Sequence, residues 1–257
     1  MKANYKIIIL SVIVMTLACN VFTPTPAPMP LDESIINCIE TPSGLVSWWR
    51  GEGDAADSTG HYDGMFVSNS VFALGKVGQA FSFNGTDNLV AIPDSDEWTL
   101  GVNDFTLDMW VNFNDIKSRT AFIGHDEGGG STNKWIFWYD EFGDDGLPGP
   151  ALRFHIDPST GLRNPIFAAW APTIGQWYHI AITRNTSAYA IYIDGEQAAT
   201  SIHTDEITNA AAPLTIGSSE GFFFNGLIDE VHFFSRGLSS SEIQAIFNTG
   251  SSGICLP

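Results

Sequence analysis

Short runs in which apolar and polar residues alternate dominate the chain from Leu45 to Phe234. In the clearest run, FTLDMWVNF at 105–113, every second residue is a large apolar one. A period of two is that of a β-strand with one buried face. Gly, Asn-Gly and Asp-Gly turn signals separate the runs, and no apolar stretch of helical period precedes the C-terminus. The sequence therefore predicts an all-β fold.

The same pattern predicts the other strands. They are Leu45–Trp49, Met65–Phe72, Ala80–Phe83, Asn88–Ile92, Thr120–Gly124, Trp135–Tyr139, Leu152–Ile156, Tyr178–Ile182, Tyr189–Ile193, Glu196–His203, Leu214–Ile216 and Leu227–Phe234. The Asp194-Gly195 pair is typical of a type I′ hairpin. So many strands in one core require two packed sheets. One C-terminal helix is predicted, with Ser239 as N-cap, Glu242 as capping-box partner and Gly250 at its end.

Residues 1–18 differ from the rest of the chain. Two lysines precede an uncharged apolar run, 7–17, and the small residue Ala18 comes before Cys19. The run is shorter than the roughly 20 residues that span a bilayer, so we interpret 1–18 as a signal peptide. TLAC at 16–19 resembles the lipobox of bacterial lipoproteins, in which the cysteine is lipidated, although its leucine stands one place late. Ordinary signal cleavage, which leaves Cys19 unmodified, is the alternative.

Residues 19–37 contain TPTPAPMP, which can form neither a helix nor a sheet. We interpret them as a Pro-rich tether that holds a folded domain, 38–257, away from the membrane. A disordered export remnant is the alternative. We expect an exported protein, either a membrane-anchored lipoprotein at the cell surface or a secreted protein, whose only membrane contact is the N-terminal anchor.

The cysteines of the chain are Cys19, Cys38 and Cys255. An export signal places all of them in an oxidising compartment. If Cys19 is lipidated, Cys38 and Cys255 remain, and a disulfide between them would fasten the two ends of the domain. Unpaired thiols are the alternative.

The chain is strongly acidic, with 29 Asp and Glu against 11 Lys and Arg and a formal net charge of −18. Such a surface repels phosphate backbones, so we expect no nucleic-acid partner. The pattern shows no internal repeat and no second domain, and we expect a monomer.

Eight different short segments follow one another in a characteristic order along the chain. They are GLVSWW at 44–49, ADSTG at 56–60, GKVGQAFSF at 75–83, DFTLDMWV at 104–111, GQWYHIA at 175–181, YIDG at 192–195, FNGLIDEV at 224–231 and LSSSEI at 238–243. Together they resemble the laminin-G-like jelly rolls of the concanavalin A-like lectin/glucanase superfamily over nearly all of 44–250. The resemblance implies a two-sheet antiparallel jelly roll with neighbouring termini, often a structural calcium ion, and roles in glycan or protein binding.

Asp229 is predicted on the same strand face as the apolar residues Leu227, Val231 and Phe233. A buried carboxylate needs a partner. An arginine, either Arg50 or Arg236, is one possible partner.

The resemblance implies a different partner, a calcium ion at which Asp229 and Asp57 meet. Glu52 and Asp63 are further candidate ligands. The alternative for Asp57 is that its carboxylate bonds its own Asp-Ser-Thr-Gly turn.

An aromatic run and two loops are the candidates for ligand binding. Aromatic rings can stack on sugars while nearby carboxylates bond hydroxyls. The candidates are Trp135, Trp138, Tyr139, Asp144 and Phe223. Because alternate residues of 135–139 must face the core, some of these rings serve packing instead.

Retaining glycosidases need two carboxylates about 5 Å apart. The glucanase relatives carry theirs as Glu-x-Asp-x-Glu on one strand, and this sequence has no such motif. The acidic cluster that comes closest to this motif, formed by Asp94, Asp96 and Glu97, follows Pro93 and is predicted to be a loop. We therefore expect a surface-tethered, non-catalytic module that binds carbohydrate. A protein-binding or structural adhesion module is the main alternative, and a glycoside hydrolase comes third.

Overall fold

The computed structural model describes residues 38–69, 71–117, 119–130, 133–144, 146–157 and 163–256. The predicted signal peptide, Cys19 and the predicted tether lie outside these residues. In the described part of the chain, no helix has the length and hydropathy of a membrane span.

The strands follow the predicted runs closely. They are β1 (Leu45–Trp49), β2 (Met65–Val67), β3 (Phe72–Leu74), β4 (Gln79–Asn84), β5 (Leu89–Ile92), β6 (Phe105–Phe113), β7 (Arg119–Asp126), β8 (Lys134–Asp140), β9 (Gly143–Asp144), β10 (Leu147–Pro148), β11 (Ala151–Ile156), β12 (Ile166–Ala169), β13 (Trp177–Asn185), β14 (Ala188–Ile193), β15 (Glu196–Ile202), β16 (Leu214–Ile216) and β17 (Asn225–Phe234). The helix α1 spans Ser240–Thr249, and short 3-10 helices occur at Asp96–Trp98 and Gly250–Ser252.

These strands form two antiparallel sheets. The eight-stranded sheet has the order β15-β14-β13-β6-β17-β4-β3, with β1 paired to the second half of β17. The seven-stranded sheet has the order β12-β11-β8-β7-β16-β5-β2. The prediction of an all-β, two-sheet jelly-roll sandwich with one C-terminal helix is confirmed.

The main core lies between the two sheets. Leu107 and Met109 of β6 and Ile180 of β13 enter it from one sheet, and Phe137 of β8 and Phe154 of β11 enter it from the other. All five are buried. Burying each such side chain contributes roughly 1.5–3 kcal/mol, which explains why the alternation of the sequence sets the strand faces.

A second, smaller core lies on the outer face of the eight-stranded sheet, beneath α1. Trp48 of β1 and Phe234 of β17 pack there with Ile243 and Ile246 of the helix. The helix begins with the predicted capping box, in which Ser239 and Glu242 bond each other's backbone.

A disulfide joins Cys38 to Cys255, across a sequence separation of 217 residues. The flanking residues Ile39 and Ile254 form a parallel bridge, and the Cys255 N–H donates to the Ile39 carbonyl at 2.8 Å. The predicted bridge between the two ends of the domain is therefore confirmed.

The predicted strand Met65–Phe72 is wrong, because its two halves belong to different sheets. β2 pairs with β5 in the seven-stranded sheet, and β3 pairs with β4 in the eight-stranded sheet. Ser68 between them has a left-handed φ of 65°, which ends the extended conformation. The predicted hairpin at Asp194 and Gly195 is confirmed, with φ values of 51° and 77°.

Candidate functional site

The Asp57 carboxylate is occupied by its own turn. Its Oδ1 accepts hydrogen bonds from the N–H groups of Trp48 at 2.9 Å and Thr59 at 3.0 Å. Its Oδ2 accepts from the Thr59 hydroxyl at 2.6 Å and from the N–H groups of Tyr62 and His61 at 3.0 and 3.3 Å. These donors take up the acceptor sites of a carboxylate. The alternative interpretation of Asp57, in which it bonds its own turn, is the arrangement in the structure.

Asp63 and Glu52 also have nearby partners. Asp63 Oδ1 accepts from the Asp57 N–H at 2.9 Å and so belongs to the same turn. Glu52 Oε1 lies 3.7 Å from the Arg50 guanidinium, and Glu52 Oε2 accepts from the Gln79 N–H at 3.3 Å.

Asp229 lies on the outer face of the eight-stranded sheet, not in the core between the sheets. Ile228 and Val231 both enter the core, and Glu230 between them adopts a left-handed φ of 51°. The ladder between β17 and β6 is irregular at this point. This β-bulge adds a residue to the strand and changes its phase, so the prediction that Asp229 shares a face with Val231 is wrong.

The Asp229 side chain is buried and only half satisfied. Its Oδ2 accepts from the N–H groups of Lys76 at 2.7 Å and Val77 at 2.9 Å, whereas its Oδ1 is buried without a hydrogen-bond partner. Burial raises the pKa of Asp229 to about 8, against the lowering effect of the Val77 bond.

The two arginines proposed as partners of Asp229 pair with other acids. Arg50 lies 3.8 Å from the Glu230 carboxylate. Arg236 forms a hydrogen-bonded pair with Glu242 of α1, with Nη1 and Oε2 3.1 Å apart.

The predicted calcium ligands are not assembled as one site. Within the described residues, no three Asp, Glu, His or Cys side chains are grouped so that they could hold a metal ion. Asp57 does not fit, because its oxygens already accept hydrogen bonds from its turn. Asp229 differs from Asp57, since its Oδ1 is buried and has no hydrogen-bond partner.

Two of the predicted ligand-binding aromatic residues belong to the core. Trp135 and Tyr139 of β8 are buried between the sheets, and Trp135 Nε1 donates to the Trp98 carbonyl at 3.0 Å. They are not available to a ligand, and the structure corrects the prediction for both. Trp138 points the other way because neighbouring strand residues face opposite sides.

Trp138 lies on the outer face of the seven-stranded sheet among charged and aromatic side chains. This group, the Trp138 cluster, consists of Arg119, Trp138, Asp140, Arg153, His155 and Phe222. The Arg119 guanidinium is 5.2 Å from the Trp138 ring and 5.7 Å from the Phe222 ring, within the range of cation–π attraction. His155 packs on the Trp138 ring with their centroids 5.1 Å apart.

Asp140 fixes the arginines of the Trp138 cluster. Its Oδ2 lies 3.7 Å from Nε of Arg119 and from Nε of Arg153. Its Oδ1 accepts from the N–H groups of Phe142 at 3.1 Å and Gly143 at 3.2 Å. A buried carboxylate held in this way ties β7, β8, β11 and the turn after β8 into one rigid surface.

Arg119 and Phe222 of the Trp138 cluster reach solvent, and so does Phe142 in the turn after β8. The Arg119 side chain is 32% exposed, Phe142 is 79% exposed, and Phe222 is half-buried. Trp138 itself is 1% exposed, and its buried ring packs against the Arg119 guanidinium. Phe142 is not among the residues predicted from the sequence, although a large apolar residue beside an acidic loop is a usable signal.

Phe222 takes the place that the prediction gave to Phe223. The Phe222 ring packs on Trp138, whereas the Phe223 side chain is partly buried and its carbonyl accepts from the Thr120 hydroxyl at 3.4 Å. Phe224 enters the core. Asp144 lies in β9, which pairs with β10. Arg153 of the Trp138 cluster donates to the carbonyls of the β10 residues Leu147 and Pro148.

Asp108 meets two histidines on the outer face of the eight-stranded sheet. Its Oδ1 is 3.1 Å from His179 Nε2 and 2.9 Å from His232 Nδ1. Carboxylate and imidazole groups can transfer protons in an open site. All three side chains are buried, so the group is closed to solvent in the structure.

The acidic segment around residue 96 forms a 3-10 helix, Asp96–Trp98, after an irregular stretch. It borders a polar cleft of about 360 Å³ that Thr99, Asn103 and Asp104 also line. The segment is a turn, as its sequence predicts, and not a strand that carries a catalytic pair.

A family model described as the concanavalin A-like lectin/glucanases superfamily matches residues 84–244. No curated protein sequence matches the chain. The disulfide together with a lectin-like fold indicates an extracellular protein.

Several solved structures are similar to this chain. Domain 4 of AbnA, a GH43 extracellular arabinanase from Geobacillus stearothermophilus in complex with arabinotriose, has a TM-score of 0.64 and 22% identity, over 80% of this chain and 98% of that one. The binding domain of Paraclostridial Mosquitocidal Protein 1 has a TM-score of 0.61 and 18% identity, over 80% of this chain and 52% of that one. Trypanosoma rangeli sialidase has a TM-score of 0.57 and 18% identity, over 80% of this chain and 33% of that one.

At these identities the structural likenesses show a shared fold. The family match over residues 84–244 and the two-sheet sandwich agree with them. This chain therefore belongs to the concanavalin A-like lectin/glucanase superfamily.

Proposed function

We propose that this chain is a non-catalytic module that binds carbohydrate, held at the cell surface by a lipidated Cys19. The observation that carries the proposal is the surface formed by Arg119 and Phe222 over Trp138. The Arg119 side chain, 32% exposed, lies against the half-buried Phe222 ring, and the exposed Phe142 stands in the turn whose N–H groups bind Asp140.

This combination suits a sugar. The C–H face of a pyranose or furanose ring packs on Phe142 or Phe222, and the Arg119 N–H groups donate to hydroxyl or ring oxygens. The pairing of Arg119 with Asp140 and its stacking on Trp138 hold the guanidinium in place before the ligand arrives. A preorganised donor loses less conformational entropy on binding.

Two further observations support binding over catalysis. The arabinanase domain of the same fold was solved with arabinotriose, and this chain spans nearly all of that domain. The sequence lacks the carboxylate pair on one strand that retaining glucanases use.

We also propose a structural calcium ion at Asp229. Asp229 would release its proton and hold the ion through its buried Oδ1, and the charge of the ion would offset the burial that otherwise raises the pKa of Asp229. Asp57 is not part of this proposal, because its turn already satisfies it.

A glycan array with the purified chain, in excess calcium, tests the proposal. We expect binding to a restricted set of glycans that is lost in Arg119→Ala and kept in Ile202→Ala. Ile202 is a matched control because it is also exposed, on β15 of the other sheet. Absence of any glycan signal, with a specific protein captured instead, would favour the rival function.

The rival is a protein-binding adhesion module, and one observation favours it. Met65, Val67, Val71 and Leu74 are all exposed on or beside β2 and β3, at the sheet edges. Exposed aliphatic groups at strand edges are typical of protein contacts. Leu74→Lys should abolish capture of a protein partner and leave glycan binding unchanged.

A further inference from the structure

Lys134 is a buried lysine at the start of β8, on the same strand face as Trp138. Its Nζ donates to the Gly128 carbonyl at 2.7 Å, to the Gly130 carbonyl at 2.8 Å and to the Glu220 carboxylate. A lysine is rarely buried unless its charge is paired. These acceptors satisfy the ammonium and join two loops that are far apart in sequence.

Asp126 strengthens the same junction from β7. Its Oδ2 accepts from the Ser219 hydroxyl at 2.6 Å and from the Glu220 N–H at 3.1 Å. Its Oδ1 accepts from the Gly128 N–H. Lys134 and Asp126 therefore hold the side chain and the backbone of Glu220 at the same time.

Glu220 needs this support because of its backbone conformation. It has a left-handed φ of 52°, which disfavours a residue with a Cβ, and Gly221 follows with a φ of 78°. Two consecutive left-handed residues reverse the chain and direct the next residue back onto the sheet. The backbone preference of a glutamate does not favour this left-handed conformation, so contacts such as that with Lys134 must hold it.

The residue placed by the reversal is Phe222. Its N–H donates to the Ser219 carbonyl at 2.9 Å, and its carbonyl accepts from the Ala121 N–H at 3.0 Å. Its ring then packs on Trp138 and Arg119, with centroids of the Phe222 and Trp138 rings 5.6 Å apart. The geometry links Lys134 to the binding surface through Glu220 and Phe222.

We propose that Lys134 is a positioning residue for ligand binding, which fixes the loop 217–224 so that Phe222 closes one side of the Trp138 cluster. Lys134 does not itself touch the ligand. Its effect on affinity rests on the proposed function, whereas its effect on the order of the loop does not.

Hydrogen–deuterium exchange of the full chain tests the loop directly. We compare wild type with Lys134→Met and with the conservative variant Lys134→Arg. Lys76→Met is the matched control, since Lys76 also uses its ammonium internally, 4.2 Å above the Trp110 ring on the other sheet. In Lys134→Met we expect the Phe222 and Ala121 amides to exchange at least about tenfold faster, with amides of β6 and β13 unchanged.

Lys134→Arg should restore most of the protection, and Lys76→Met should leave it unchanged. Equal protection of Phe222 and Ala121 in wild type and Lys134→Met would overturn the proposal. If Lys134→Met fails to fold, Glu220→Ala removes the side-chain acceptor of Lys134 and keeps the bond from the Glu220 N–H to Asp126. Protection of Phe222 in Glu220→Ala equal to wild type would likewise overturn it.

Glycan affinity is the second measurement. For the glycan with the strongest array signal, we expect about tenfold weaker binding in Lys134→Met and recovery in Lys134→Arg. Unchanged affinity combined with a disordered loop would overturn the positioning role. A wild-type chain that binds no glycan defeats the proposed function, and the exchange experiment still decides whether Lys134 fixes the loop.

Discussion

Nδ1 of His232 lies 2.9 Å from Oδ1 of Asp108, and both side chains are buried on the face of the eight-stranded sheet that α1 covers. Burial acts to raise the pKa of Asp108, but the charges and hydrogen bonds of His232 and His179 lower it to about 2. Burial acts to lower the pKa of His232, and Asp108 outweighs it, so that the pKa is raised. Each partner therefore favours the charged form of the other.

This pair predicts a definite dependence of stability on pH. A histidine with a raised pKa stabilises the fold fully below its unfolded value of about 6.5, and this contribution is lost as the pH rises through the folded value. Asp108, whose folded pKa is lowered, stabilises the fold fully above its unfolded pKa of about 4. This stabilisation is lost as the pH falls toward the folded pKa of about 2. We expect His232→Gln to lower the melting temperature most at about pH 6, and we expect this difference from wild type to shrink as the pH rises through the raised pKa of His232.

Thermal unfolding of wild type and variant across this range checks the prediction. His61→Gln is the control, because His61 is exposed in the turn of Asp57. A difference between wild type and His232→Gln that stays constant from about pH 6 to pH 9 would contradict the charged pair.

Calcium should stabilise the domain through Asp229. We expect a higher melting temperature in excess calcium than in EDTA, by several degrees, because the ion removes the cost of a buried, half-satisfied carboxylate. Asp229→Asn should abolish the difference, and Asp63→Asn should keep it. Equal melting temperatures in calcium and EDTA for the wild type would refute the site.

The disulfide should contribute strongly to stability because it closes most of the domain. Replacing both cysteines, Cys38→Ser with Cys255→Ser, is expected to lower the free energy of unfolding by up to about 5 kcal/mol for a loop of 217 residues. Urea titration measures the change. Cys19→Ser is the control and should leave the midpoint unchanged, and a double variant as stable as wild type would show that the bridge adds nothing.

The proposed anchor makes a separate prediction. In cells that export the protein, wild type should fractionate with membranes and carry a lipid mass on Cys19, because one or more acyl chains bind the bilayer. Cys19→Ser should appear in the soluble exported fraction. Wild-type protein with an unmodified Cys19 would support ordinary signal cleavage.

The features that the sequence predicted well depend on residues close together in the chain. The Asp194-Gly195 hairpin and the Ser239 to Glu242 capping box are local signals, and both are present in the structure. The alternation at 105–113 correctly predicted a buried strand, because each side chain needs only its own neighbours to determine its face.

The predictions that were wrong concern features that depend on pairing between strands far apart in the sequence. β17 pairs with β4 through Ile228 and with β1 from Val231 onward, and the bulge at Glu230 lies where the partner changes. No local pattern marks that change, so the alternation of the sequence predicts the wrong face for Asp229. The alternation at 135–139 predicts that only some of its rings face outward. Nothing local in the sequence shows that the outward ring is Trp138 rather than Trp135 and Tyr139.

The most direct test of the central claim is the dissociation constant of the best-binding oligosaccharide, measured by calorimetry for wild type, Arg119→Ala, Phe142→Ala and the control Ile202→Ala. If the surface around Trp138 binds the sugar, Arg119→Ala and Phe142→Ala should each weaken binding by about 10- to 100-fold, or roughly 1.4 to 2.8 kcal/mol. Ile202→Ala should bind as wild type does. Wild-type affinity in both Arg119→Ala and Phe142→Ala would place the ligand elsewhere and contradict the account.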